Sequence, residues 1–497
     1  MEAREAKSEF RKGRLTVEQL LDVVERQERL IQRLTAEVKR LRERLAKYEP
    51  EVARESSFGV SCDQGDSFPA PSTRYSIEAE EKRRRRRKRK KKSPGRRPTQ
   101  LKFADAHRFQ SVYPKGVSRD ACRLVRERAV WRLEKGRAVL VGYRVFAGPD
   151  GREPRIPGVT CRCEYGLEIL VVLAFLVYVI GISLDKACAV LSFCCQLPLS
   201  KSQADALLRQ LAQHWQTEYD TLCELVARAA VVYMDETGWK IGREGCSLWT
   251  FAAQLQRVFL FGCHKDADTL DVMLPPDVFQ GVAVSDDAAV YRHRFSRAQK
   301  CWAHLLRKAI KLALLYPRKK TYQRFLDQLL ALYYDAKRAA ADQRLGEQGR
   351  QQRVAELEGR LCGLCNPLWR STTAGLKPHE RDFANLVNEL MERVLDEELF
   401  TFVLMPEVDP TNNLAERLQR SPAQDRKAGR TSKTAAGARR RSVIVSVLES
   451  LRVNLESFTL ANVLAEVTGW MTAGASLFVK QWRELTHNLP AAAPNTS

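Results

Sequence analysis

The apolar positions between residues 15 and 48 recur in alternating steps of three and four: Val17, Leu20, Val24, Ile31, Leu34, Val38, Leu41, Leu45 and Tyr48, with Gln27 the one polar break. Val17, Val24, Ile31, Val38 and Leu45 fall at heptad position a, and Leu20, Leu34 and Leu41 at d. β-Branched a residues with leucine at d favour a parallel two-stranded coil. Glu37 at g then faces Arg42 at e of the partner. The seam predicts a homodimer through residues 15–48; a single amphipathic helix packed on its own domain has the same pattern.

After Pro50 the period is lost in ESSFGVSCDQGDSFPAPSTRYS, and residues 50–118 read as a disordered basic linker. RAVLVGYRVFAGPDG, within 119–164, reads as β-rich. Helical periodicity starts at Tyr165. The apolar run Ile169 to Ile182, bounded by Glu168 and Asp185, is shorter than the ~20 residues of a membrane span and predicts a buried helix. A second helix runs from Leu184 to about Phe193, the chain breaks at Leu197–Pro198, and a third helix opens at Ser200. Ser200 is a natural N-cap, with Ala204, Leu207, Leu208 and Leu211 on one face. Two short helices across a tight turn resemble a helix-turn-helix, which makes residues 165–228 a candidate DNA-binding domain, although many bundles share the pattern.

From Ala229 the period shortens to two. VVYMDETGWKI, SLWTFAAQL and VFLFGCHK read as consecutive strands, DADTLDVMLP as a short helix, GVAVSDD as a fourth strand, and KCWAHLL as a fifth that runs into a helix. Three strands, a helix, a strand and a helix is the order of a ribonuclease H-like α/β core. The following stretch is helix-rich, with LDQLLALYYDAKRAA clearly amphipathic. The predicted organisation is a coiled coil over 1–49, the linker over 50–118, a small degenerate zinc-finger-like region over 119–164 and the helical domain over 165–228. The core begins over 229–302, is interrupted by a helical insertion over 303–400 and ends over 401–454, before a C-terminal helix and tail over 455–497.

Composition sharpens this reading. The net charge of +23 over 497 residues points to a polyanionic partner, because clustered Lys and Arg displace counterions from phosphates. Part of the charge is the run KRRRRRKRKKK at positions 82 to 92, and the remainder is basic in its own right. Thirteen scattered cysteines and a charged N-terminus suit free thiols in a reducing cytoplasm, without membrane association. Cys122, Cys161 and Cys163 lack the spacing of a zinc site, and Cys362–Cys365 is a CxxC with no second pair nearby.

Three carboxylates stand in motifs of their own: Asp235 in VVYMDETGW, Asp286 in GVAVSDDAAVY and Glu416 in DPTNNLAERLQR. Acidic side chains are the natural ligands of Mg²⁺, and two such ions about 3.5 to 4 Å apart promote in-line phosphoryl transfer. Asp287 competes with Asp286 for the middle position. Glu236 alternates to the face of the strand opposite Asp235, and Asp409, at the Pro410 turn, is placed to cap the helix of Asn412, Asn413 and Glu416.

These blocks, with CWAHLLRK at 301 to 308 and the RK, GRTS and GARRRSVIVSVLESLR that follow Glu416, resemble bacterial DDE transposases of the insertion sequence sixty-six family over roughly residues 160 to 470. The resemblance implies a metal-dependent polynucleotidyl transferase with Asp235, Asp286 and Glu416 as catalytic metal ligands. It implies two Mg²⁺ ions, with Mn²⁺ able to substitute, and a helical insertion ahead of the final acid. The implied partners are double-stranded DNA, as terminal inverted repeats and target, and candidate small accessory proteins; the implied location is cytoplasmic and nucleoid-associated. A non-catalytic DNA-binding regulator or decayed transposase is the alternative. His304 either touches the scissile phosphate or packs beside Trp302. Arg417, Arg420, Arg426 and Lys427 suit DNA strand contacts or solvated positions, and Trp239 and Trp249 base stacking or core packing. The family's cysteine-rich zinc region is degenerate or absent here.

Overall fold

The computed structural model describes residues 97–160 and 163–487. The coiled-coil seam, the basic run at 82–92, Cys161 and residues 488–497 lie outside the described residues. Helix α1 (Thr99–Ala104) and three strands come first: β1 (Arg108–Val112), β2 (Arg123–Glu134) and β3 (Arg137–Ala147), in the order β1-β3-β2. The stretch from Thr99 to Val112, expected to be linker, is therefore structured. Its pairing is non-local, because β1 lies parallel to β3 with Arg108 opposite Val141, and Phe103 supplies the one buried side chain of α1. The β2–β3 hairpin turns on Lys135 and Gly136 at φ 48° and 79°. Two successive positive φ values match the twist of a tight hairpin, and glycine adopts one without a Cβ clash.

The expected helical region follows as α2 (Leu167–Ala174), which widens into a π-turn over Phe175–Val179, then α3 (Leu184–Cys195), α4 (Lys201–His214) and α5 (Gln216–Ala227). Ser200 caps α4, with Gln203 completing a capping box, and Ala204, Leu207, Leu208 and Leu211 are buried. No helix among the described residues is long and apolar enough to cross a membrane.

The second sheet holds β4 (Val231–Ile241), β5 (Glu244–Ala252), β6 (Arg257–Cys263), β7 (Val282–Ser285) and β8 (Ala298–Lys300), in the order β6-β5-β4-β7-β8. The first three form an antiparallel meander; β7 and β8 add in parallel on the other side of β4. A short helix, α6 (Ala267–Met273), joins the two halves. Strand periodicity splits the core: Val232 and Met234 enter the apolar cluster shared with α4 and α5, whereas Tyr233 enters the cluster built with the insertion helices. Those helices are α7 (Trp302–Leu315), α8 (Lys320–Ala341), α9 (Glu347–Cys365), α10 (Pro378–Leu395) and the single turn α11 (Thr401–Leu404). Helix α12 (Asn413–Lys427) carries Glu416, and α13 (Ala435–Asn454), α14 (Leu460–Ala473) and α15 (Leu477–His487) complete the described chain.

Strand β6 is an edge, and α13 covers it. The backbone N–H groups of Arg257, Phe259 and Phe261 each donate to a serine hydroxyl, Ser450, Ser446 and Ser442 respectively, all at 2.9 Å. Two strand residues advance by about 6.8 Å and four helix residues by about 6 Å, so serines at every fourth helical position meet alternate strand amides. An otherwise open edge is thereby satisfied.

Candidate active site

Asp235 lies on β4, two residues beyond Tyr233 and on the same face, turned to the insertion side. Parallel pairing sets Val231 opposite Val282 and Tyr233 opposite Val284. Carried on by two residues, that register places Asp286, just past the end of β7, level with Asp235. Glu416 lies in the first turn of α12.

A chain of hydrogen bonds ties the three positions together. Asn412, fully buried, donates through Nδ2 to the carbonyl of Met234 at 2.7 Å and through its backbone N–H to Cys301 Sγ at 3.2 Å. The backbone of Cys301 donates to Ser285 O at 2.9 Å, and that of Trp302 to Pro410 O at 3.0 Å. Met234 precedes Asp235, Ser285 precedes Asp286, and Asn412 stands one helical turn before Glu416. Asp409 contributes differently from expectation: Oδ1 accepts from Thr411 N and Oγ1 at 2.7 and 2.6 Å, shaping the turn, and α12 begins at Asn413, its N-cap Asn412 making no side-chain cap bond. An aspartate two residues before a free amide closes a local turn more readily than it reaches the helix.

The electrostatics follow from this placement. Burial first, then the charges of Glu236, Asp286 and Glu416, push the Asp235 carboxyl from 3.8 up to about 7. Three carboxylates gathered in this way offer an all-oxygen donor set, and a hard divalent cation relieves the repulsion felt by Asp235. Asp235, Asp286 and Glu416 are the side chains that would hold a hard divalent cation here. Glu416 is also approached by Arg307 Nη2 at 3.1 Å and His304 Nδ1 at 3.6 Å.

The neighbouring acids are engaged elsewhere. Glu236, on the opposite face as expected, is buried between the Tyr291 hydroxyl and Lys265. Asp287 pairs with Arg393 Nε at 2.8 Å; Arg393 comes from α10, is 1% exposed and also holds Asp396 and Glu398 at 3.0 and 2.9 Å. Beneath Asp286, Lys300 is almost fully buried, its ammonium pKa lowered by desolvation, with Nζ 3.3 Å from Ser285 Oγ. Arg393 and Lys300 carried no sequence signal, since nothing local marks a basic residue as buried. Arg307 lay in view within CWAHLLRK, three residues after His304 and so on the same helical face.

The model of the Transposase IS66 family matches residues 162–440, more than half of the chain and all three acids. The chain belongs to the IS66 transposase family. No curated protein matches it. Membership in a transposase family implies a DNA-modifying enzyme in general, and with it DNA binding and divalent-metal use.

In this IS66 family member the remaining candidates divide by placement. Arg417, Arg420 and Lys427 are exposed on α12. Arg426 is turned back on the sheet, its Nη1 donating to Thr237 Oγ1 at 3.0 Å and Gly238 O at 2.8 Å. His304 is half-buried at Glu416 rather than packed in the core. Trp239 and Trp249 are core residues, 1% and 0% exposed, whose indole N–H groups bond Ser432 Oγ and His264 O. Among the described residues Cys122 donates to Ser118 O and Cys163 is buried, and neither belongs to a cluster of metal-ligating side chains; their surroundings are the small three-stranded sheet. Cys365 is buried at the end of α9, its thiol pushed up to about 12 by desolvation.

Proposed function

We propose that this protein is a DDE transposase that binds the terminal inverted repeats of its element, hydrolyses the ends and joins the resulting 3′-hydroxyls to target DNA. The observation that carries the proposal is the convergence of Asp235, Asp286 and Glu416 from a central strand, its parallel neighbour and a helix beyond a long insertion. Strand order β6-β5-β4-β7-β8, an antiparallel meander extended by two parallel strands, supports a ribonuclease H-like core.

In this reading Asp235, Asp286 and Glu416 hold two Mg²⁺ ions. When bound, the ions activate the attacking oxygen and stabilise the leaving one in an in-line displacement. Asn412 and Cys301 keep the ligands in register. Arg307 neutralises Glu416, Arg307 and His304 face the approaching phosphate, and Arg417, Arg420 and Lys427 contact the DNA backbone. Arg426 serves mainly to anchor α12 to β4. Helices α3 and α4 form the helix-turn-helix-like unit, and residues 15–48 pair two protomers so that two ends are handled together.

Incubating the full chain with a plasmid carrying the terminal repeats, target DNA and Mg²⁺ tests this. Joined end–target products support the transposase. Cut but unjoined ends would indicate a nuclease, and repeat binding with no metal-dependent cutting a regulator; either would overturn the proposal.

A further inference from the structure

Cys301, His304 and Glu416 bring a sulfur, an imidazole nitrogen and a carboxylate oxygen within 4.8 Å of one another, and theirs is the metal-ligating cluster found among the described residues. Cys301 and His304 are three residues apart at the start of α7, and Glu416 is in the first turn of α12; Trp302 N to Pro410 O, at 3.0 Å, holds the two helix starts together. His304 Nδ1 is shielded from solvent without a hydrogen-bond partner, 3.6 Å from Glu416 Oε1. Cys301 Sγ is buried, 3.2 Å from the Asn412 backbone nitrogen.

We propose that Cys301, His304 and Glu416 form a Zn²⁺ site that competes with the three-carboxylate set for Glu416. The donor chemistry selects the ion: thiolate and imidazole are ligands of Zn²⁺, whereas Mg²⁺ takes oxygen. Zinc bonds of about 2.0 to 2.3 Å set tetrahedral ligands roughly 3.5 Å apart, so the cluster needs a contraction of about 1 Å at its widest separation. Glu416 and His304 are 26% and 32% exposed at their side chains, which leaves the outer side open for a water as fourth ligand. On binding, the Cys301 thiol gives its proton to solvent and the metal–sulfur bond replaces it. Glu416, once committed to zinc, is withdrawn from Asp235 and Asp286, so the site is inhibitory. Only that consequence rests on the proposed function; the binding does not.

The test uses the full chain and Co²⁺ as a spectroscopic substitute for Zn²⁺. Wild type and Asp235→Asn are expected to give the same sulfur-to-cobalt charge-transfer band, displaced by Zn²⁺ and not by excess Mg²⁺. Cys301→Ser abolishes the band. His304→Ala, at a partly exposed position that tolerates truncation, weakens Co²⁺ binding by more than the roughly tenfold that the loss of even an outer partner costs. A wild type without the band, a band undiminished in Cys301→Ser, unchanged affinity in His304→Ala, or loss of the band in Asp235→Asn would each overturn the proposal. A protein that cuts no DNA yet shows this pattern retains the zinc site while losing the transposase reading.

Discussion

Asn412 Nδ2 donates to the carbonyl oxygen of Met234 at 2.7 Å, which fixes the start of the Glu416 helix to the residue before Asp235. Residue 412 and residue 234 are far apart in sequence, and the insertion helices fill much of the interval. Their bond, with the link from Asn412 N–H to Cys301 Sγ, makes the position of the third acid a property of the sheet rather than of the insertion.

Asn412→Ala removes this tie and leaves the Met234 carbonyl without its donor. A destabilisation of about 1 to 3 kcal/mol is expected, towards the lower end because Asn412 Oδ1 already lacks a partner. Thermal melts check the stability. DNA cleavage should fall further than the melt alone explains, since Glu416 loses its anchor.

Asp286 and Asp287 should separate by the sign of their effect on stability. Asp286→Asn removes a charge that repels Asp235, so the metal-free protein melts at the same temperature as wild type or higher, without a response to Mg²⁺. Asp287→Asn takes one of four acids from buried Arg393 and destabilises by about 1 to 3 kcal/mol, with the Mg²⁺ response retained. Melts with and without Mg²⁺ distinguish the two.

The raised Asp235 pKa sets a pH dependence. The unfolded chain releases this proton near 3.8 and the folded protein near 7, so between those values the folded state binds more protons and stability falls as pH rises. Metal-free wild type should lose stability across that window relative to Asp235→Asn. Mg²⁺ should raise Tm more at about pH 8 than at about pH 5, because it binds the ionised carboxylates.

Much of this arrangement was legible from residue patterns. The period-2 segments located the first four strands of the second sheet; the fifth, expected in KCWAHLL, is Ala298–Lys300, and Trp302 already opens α7. The motifs around Asp235, Asp286 and Glu416 singled out the acids on which the proposed site rests. The separation of Asp286 from Asp287 was not legible, because it depends on Arg393, supplied from α10 over a hundred positions later. β1 reads as linker in sequence because Arg108–Val112 is mostly exposed and pairs only with the distant β3. The every-fourth-residue serines of SVIVSVLES were visible, yet their meaning requires knowing that β6 is an edge.

That serine ladder yields a prediction of its own. Ser446→Ala leaves the Phe259 N–H buried and unpaired, at a cost of about 1 to 3 kcal/mol by denaturant unfolding.

The most direct test of the central claim compares Mg²⁺-dependent end cleavage by wild type, Asp235→Asn, Asp286→Asn and Glu416→Gln, with binding to the terminal repeats measured in parallel. Each substitution is predicted to lower cleavage by at least roughly a hundredfold while repeat binding persists. Cleavage by Asp235→Asn equal to that of wild type would contradict the assignment of this carboxylate set as the catalytic metal site.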